Sequence, residues 1–71
     1  MGVRTGQRFD VEDVFVDYPF EDVKFRWDHK TKKIFRKFYG QTAETEVDYK
    51  NGLFNEALRH GDEVTRSAYF S

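Results

Sequence analysis

The chain contains no cysteine, which excludes disulfides and thiolate zinc sites alike. It has one proline, Pro19, so backbone rigidity is set elsewhere. Aliphatic bulk is scarce: Leu53, Leu58 and Ile34 are the only leucines and isoleucine. No apolar run approaches the roughly 20 residues that a membrane span needs. The opening stretch lacks the apolar centre of a signal peptide. Gly6 stands where a myristoylation signal requires Ser or Thr. These features predict a cytoplasmic protein with no membrane role. An excess of charge of either sign is missing too. With 12 bases and 13 acids the net charge is −1, so self-association meets no electrostatic barrier.

At 71 residues the chain can form one domain. A domain of this size buries only about 60% of its unfolded surface. Thirteen aromatics and seven valines carry most of its apolar content. Both residue types favour half-buried strands, so the composition leans towards sheet. Alternation supports this. Val14, Val16 and Tyr18 share one face of a first strand, which Pro19 ends. Phe9 and Val11 extend the pattern, but Glu12 and Asp13 break it, as a bulge or a short helical turn over 10–15 would. Val23, Phe25 and Trp27 alternate with Lys24 and Arg26. A polar turn over 28–32 leads into a run from Ile34 to Tyr39, which together read as a hairpin. A short fourth strand is expected over 44–47. The period then changes. Leu53, Phe54, Ala57 and Leu58 form one helical stripe over about 51–60. Asn51 or Asp48 serves as its cap, and Gly61 takes the left-handed residue after it. Thr65 can cap one more turn, and Val64 with Tyr69 matches a hydrophobic staple. The fold class expected is α+β: a three- to four-stranded antiparallel meander, with one C-terminal helix on one face and a loose terminus over 1–7.

Charge is segregated along the chain. Residues 9–22 hold six acids and no Lys or Arg; residues 24–37 hold seven bases and one acid. Two readings follow. In the first, the sheet presents a charged, aromatic face to another protein or to a second copy of itself, with Phe35, Tyr39, Arg36 and Lys37 as the contact residues. In the second, Lys24, Arg26, Lys30, Lys32, Lys33, Arg36 and Lys37 track the phosphates of a nucleic acid while an aromatic such as Trp27 stacks on bases. A sequence pI near 6.1 favours the first.

Catalysis finds no support. His29 and His60 have no partner at metal or general-base spacing. The acids of 10–17 match no calcium loop. No phosphate loop or nucleophile elbow is present, and so short a chain has little room for an enclosed pocket. The expected function is a non-catalytic protein-binding or regulatory module, with no cofactor and no metal. Its charge balance predicts no single-strand nucleic-acid binding near physiological salt. Micromolar affinity that persists there, and disappears when Lys32, Lys33 and Lys37 are replaced by Glu, would reverse the ranking.

Overall fold

In the computed structural model, which describes Gly2, Val3 and residues 6–70, the two alternating runs pair as the sequence predicts. β1 (Val14–Tyr18), β2 (Val23–Asp28) and β3 (Lys33–Phe38) form an antiparallel meander. The β2–β3 turn is built on Asp28, whose carboxylate accepts the N–H groups of Lys30 at 3.0 Å and Thr31 at 3.4 Å. Lys32 takes a left-handed φ of 58° to close it. β4 (Thr45–Val47) pairs with the outer side of β3, from Ile34 to Arg36.

The structure adds one strand to the expected set. β5 (Asp62–Val64) lies antiparallel to β1, and α2 (Arg66–Phe70) follows it. The sheet is therefore five-stranded, in the order β4-β3-β2-β1-β5. A three-residue strand with two acids offers no alternation to read; only the unpaired edge of β1 recruits it. The additional turn capped by Thr65 does form, as α2: the Thr65 hydroxyl accepts the N–H of Ala68 at 3.1 Å.

Each face of the sheet carries one helix. α1 (Gly52–His60) covers Val14, Val16, Val23, Phe25 and Ile34 with Phe54 and Ala57. Asn51 caps it, accepting the N–H of Phe54 at 2.9 Å. Phe25 is fully buried and meets Phe54 edge to face, with centroids 5.4 Å apart. Leu58 packs against this core but is only half-buried.

Gly61 departs from expectation. Its backbone is extended, at φ −82° and ψ −176°, because the chain runs straight on into β5. Glycine is needed there for another reason: a Cβ would stand 2.7 Å from the carbonyl oxygen of Ala57 and 2.8 Å from that of Asp17. The N-terminal stretch, read as loose, has a buried anchor in Val3, whose N–H donates to the Leu58 carbonyl at 2.8 Å. Met1, Arg4 and Thr5 lie outside the described residues. Among the described residues no helix is long and apolar enough to cross a membrane.

Phe25→Ala should destabilise the fold by about 3–5 kcal/mol. On a domain of this size that approaches the whole folding free energy. Urea denaturation followed by tryptophan fluorescence measures it, and an unchanged midpoint would place the core elsewhere.

Candidate functional site

The face opposite α1 collects the charged alternating positions of the strands, and α2 lies across it. Its centre is a guanidinium–carboxylate pair. Arg26 donates to both oxygens of Glu44, from Nε and Nη2, each at 2.9 Å. The Tyr69 hydroxyl donates to the same carboxylate at 2.7 Å. Arg26, first, and then Tyr69 hold the Glu44 carboxyl below its ordinary range, against the opposing effect of burial. Burial and the Glu44 hydrogen bond together push the Tyr69 phenol well above its ordinary value. Arg26 also lies over the Phe35 ring, at 4.3 Å from its centroid.

Beside α2 the same face opens into a cleft of about 430 Å³ lined by Asp17, Lys24, Lys37, Phe38, Tyr39, Gly40 and Gln41. It is open to solvent, consistent with a chain too short to enclose a pocket. Lys24 reaches over it to donate to the Ala68 carbonyl at 2.9 Å. Tyr39 donates its hydroxyl to the Asp17 carboxylate. Burial, and then that carboxylate, push the phenol up to about 12. Lys37 lies beneath α2, only 6% exposed, with its ammonium 4.9 Å from the Tyr69 centroid and 5.5 Å from that of Phe70.

The residues predicted to contact a partner are therefore not all on one face. Phe35, Lys37 and Tyr39 share the α2 side. Arg36 pairs in register with Phe25 on the α1 side and lies over Phe38, at 4.9 Å. Tyr39 is 43% exposed; Phe35 is half-buried, covered by Arg26 rather than by the N-terminal segment.

The seven basic residues form no continuous positive face. Arg26 is held by Glu44, and Lys37 is buried. Lys33 lies 3.8 Å from Glu46, and Lys32 3.5 Å from Asp10. Lys24 is tied to Ala68, Arg36 sits on the other face, and Lys30 projects from the turn. Trp27 turns inward, stacks on Phe9 at 5.5 Å and donates to its carbonyl at 2.7 Å.

Two features escaped sequence reading. Glu44 read as the start of a strand, and only its distance from Arg26 in the folded chain gives it a role. His29, for which sequence spacing offers no partner, is half-buried, with its Nδ1 2.6 Å from Asp13. Burial disfavours ionisation of Asp13, yet the hydrogen bonds from His29 outweigh it and hold the carboxyl low. Asp28 joins these two in a cluster whose potential ligand atoms lie within 4.8 Å of one another. Arg26 and Arg66, each at 3.8 Å from one of the carboxylates, already supply positive charge there.

The Glu44 network makes a pH-dependent contribution. A carboxyl held low in the folded state stabilises above its unfolded value of 4.5 and loses that contribution as pH falls through the folded value. Glu44→Gln should thus unfold more easily at pH 7, and the gap from the parent should narrow below about pH 4. Thermal melts across that range test this; a gap of constant size would remove Glu44 from the acid limb.

The whole chain, residues 1–71, matches the family model described as Tis1 immunity protein. A relative named "Immune protein Tis1", from Pseudomonas aeruginosa strain UCBPP-PA14, is 46% identical over 70 residues, covering 97% of this chain and 91% of the relative. The fold superposes with a TM-score of 0.86 on a chain from the crystal structure of the complex between the Type VI effector Tas1 and its immunity protein; identity is 46%, and the match covers 93% of this chain and 88% of the other. The expectation of a non-catalytic protein-binding module holds, since the chain belongs to the Tis1 immunity protein family.

Proposed function

We propose that this chain confers immunity by binding a protein effector of the Tas1 kind, and that it does so with the end of β3. The observation that carries the first part is the family match over residues 1–71, together with a solved relative in complex with its effector. The second part is supported by exposure and backbone geometry. β4 pairs with β3 only as far as Arg36, so beyond that residue the outer side of β3 has no strand neighbour among the described residues. Tyr39, at this end, is a large exposed aromatic. Its N–H donates to the Asp22 carbonyl at 2.8 Å, which fixes the backbone that presents the ring. Phe20, 80% exposed, lies in the adjoining turn. A rigid aromatic rimmed by charge is the composition of an interface hot spot. Tyr39 is the anchor in this reading. Lys37 contributes through the cleft, Arg36 flanks the strand end from the α1 side, and Phe35 supports Arg26 from beneath.

Calorimetric titration against the Tas1 effector tests the reading. Tyr39→Ala should weaken binding by about tenfold or more. Tyr39→Phe, which keeps the ring, should stay within a few-fold. Val11→Ala, an exposed position elsewhere, should match the parent. Equal affinity across all four proteins would move the interface away from β3, and absence of binding by the parent would overturn Tas1 as the partner.

A further inference from the structure

The turn between β1 and β2 holds an apolar ring in water. Phe20 is 80% exposed, more than any other large hydrophobic among the described residues. The turn that carries it is fixed rather than loose. Pro19 sets the backbone entering it. Asp22 closes it in the left-handed region, at φ 53°, a conformation that Asp accepts more readily than most residues. The N–H of Asp22 donates to the Pro19 carbonyl at 3.3 Å, and the Asp22 carbonyl accepts the N–H of Tyr39 at 2.8 Å. Behind Phe20 stands the buried ring of Tyr18, edge to face, with centroids 5.9 Å apart. A ring ordered in advance loses little conformational freedom when it enters a partner's pocket.

The charge around this turn is one-sided, although the chain as a whole is balanced. Elsewhere acids are paired: Asp10 with Lys32, Asp13 with His29, Glu44 with Arg26. At the Phe20 end, Asp17, Glu21, Asp22, Glu56 and Asp62 make no ion pair among the described residues. Asp17 and Asp62 stand directly opposite each other in register, and like charges so placed weaken a sheet. Burial first, and then Glu56 and Glu21, push the Tyr18 phenol up, which puts both carboxylates beside the turn. The bases of this end are mostly withdrawn. Lys37 is buried, Lys24 stands opposite Asp17 but donates to Ala68, and Arg36 lies over Phe38; Arg59 is exposed. Glu21, Asp22, Glu56 and Asp62 are all exposed, so the charge facing solvent is negative. A polyanion would be repelled here, and a second copy meeting this end about a two-fold axis would bring acids against acids.

We propose that the β1–β2 turn is a second anchor for the effector: Phe20 enters an apolar pocket on a basic face of that protein, and the carboxylates of Glu21, Asp22 and Asp62 meet the Lys and Arg side chains at its rim. The inference rests on the effector-binding reading above and extends it from the end of β3 to the adjoining turn, to which the Tyr39 N–H is bonded. The two kinds of contact act on different rates. An aromatic anchor in a desolvated pocket slows dissociation. Rim charges speed encounter and make it dependent on salt. The reading also accounts for the unpaired acids, whose mutual repulsion in the free protein is relieved when a cationic surface arrives.

The experiment uses the full chain as parent, Phe20→Ala, the double variant Glu21→Gln with Asp22→Asn, and Tyr49→Ala, which removes an exposed aromatic beyond β4. Asn is chosen at position 22 because it too accepts the left-handed backbone. Association and dissociation rates with the Tas1 effector are measured by surface plasmon resonance at low and at physiological salt, with thermal unfolding and sedimentation beside them. Phe20→Ala should melt close to the parent and bind about tenfold or more weakly, chiefly through faster dissociation. The double variant should associate at least about threefold more slowly at low salt, and the parent's association should slow as salt rises. Tyr49→Ala should match the parent. Parental affinity in Phe20→Ala overturns the anchor while leaving an interface built on Tyr39 intact. Association indifferent both to salt and to the double variant overturns the basic face. Self-association of the parent that Phe20→Ala abolishes gives the turn to a second copy and also overturns the proposal. Where Phe20→Ala fails to fold, or the parent fails to bind Tas1, NMR titration of the parent by a triarginine peptide decides. Shifts concentrated at residues 20–22 and 62 support the proposal; shifts spread over all the acids, or none, end it.

Discussion

The bidentate pair between Arg26 and Glu44 joins three parts of the chain that are far apart in sequence. Arg26 sits at the middle of the central strand, Glu44 lies in the segment before β4, and the Tyr69 hydroxyl brings the last helix onto the same carboxylate. A short helix such as α2 has little stability of its own. It is held by one buried tyrosine ring, one carboxylate shared with an arginine, and the carbonyl that Lys24 reaches. The placement of α2 therefore depends on a polar network and on ring contacts rather than on aliphatic packing.

The two faces of the sheet solve the same problem with different chemistry. On the α1 side, valines, Phe25, Ile34 and Phe54 pack as an ordinary apolar core. The sequence holds too few leucines and isoleucines to build a second core like it. On the α2 side the alternating positions are Phe15, Lys24, Arg26, Phe35 and Lys37, and cations lie against rings: Arg26 on Phe35, Lys37 on Tyr69, Arg66 on Phe70. Such contacts bury aromatic area against cationic side chains. The segregation of charge along the sequence is resolved here, as the basic hairpin meets acids from before β1 and from around β4.

What could be read from the sequence follows from how local each signal is. The β2–β3 hairpin was legible because period-two alternation and a polar turn occupy one contiguous stretch. α1 was legible from its stripe and from Asn51. β5 was not, since three residues carry no period and their pairing is fixed by the free edge of β1. That Tyr39 and Phe38 fall on opposite faces was legible from their alternation, and Tyr39 is the exposed one. Lys37 had the right strand and the wrong environment: alternation gives its face, but its burial depends on α2, which arrives from the far end of the chain. Gly61 illustrates the same limit. The residue type was correctly tied to a backbone demand, but the demand is close approach to Asp17 on β1 rather than a left-handed turn.

The pairing of β1 with β5 has a consequence for how the molecule assembles. The hairpin contacts close a short loop, whereas Phe15 opposite Val64 brings together segments far apart in sequence. Loop-closure entropy makes that contact the costly one to form, and topologies dominated by such contacts fold slowly. The hairpin and α1 can organise early; β5 and α2 must dock onto a sheet already in place. The contacts that cover the Arg26 face are thus among those with the largest closure cost. During synthesis, the sheet face that carries Arg26 stays uncovered until α2 has been made and has docked on it.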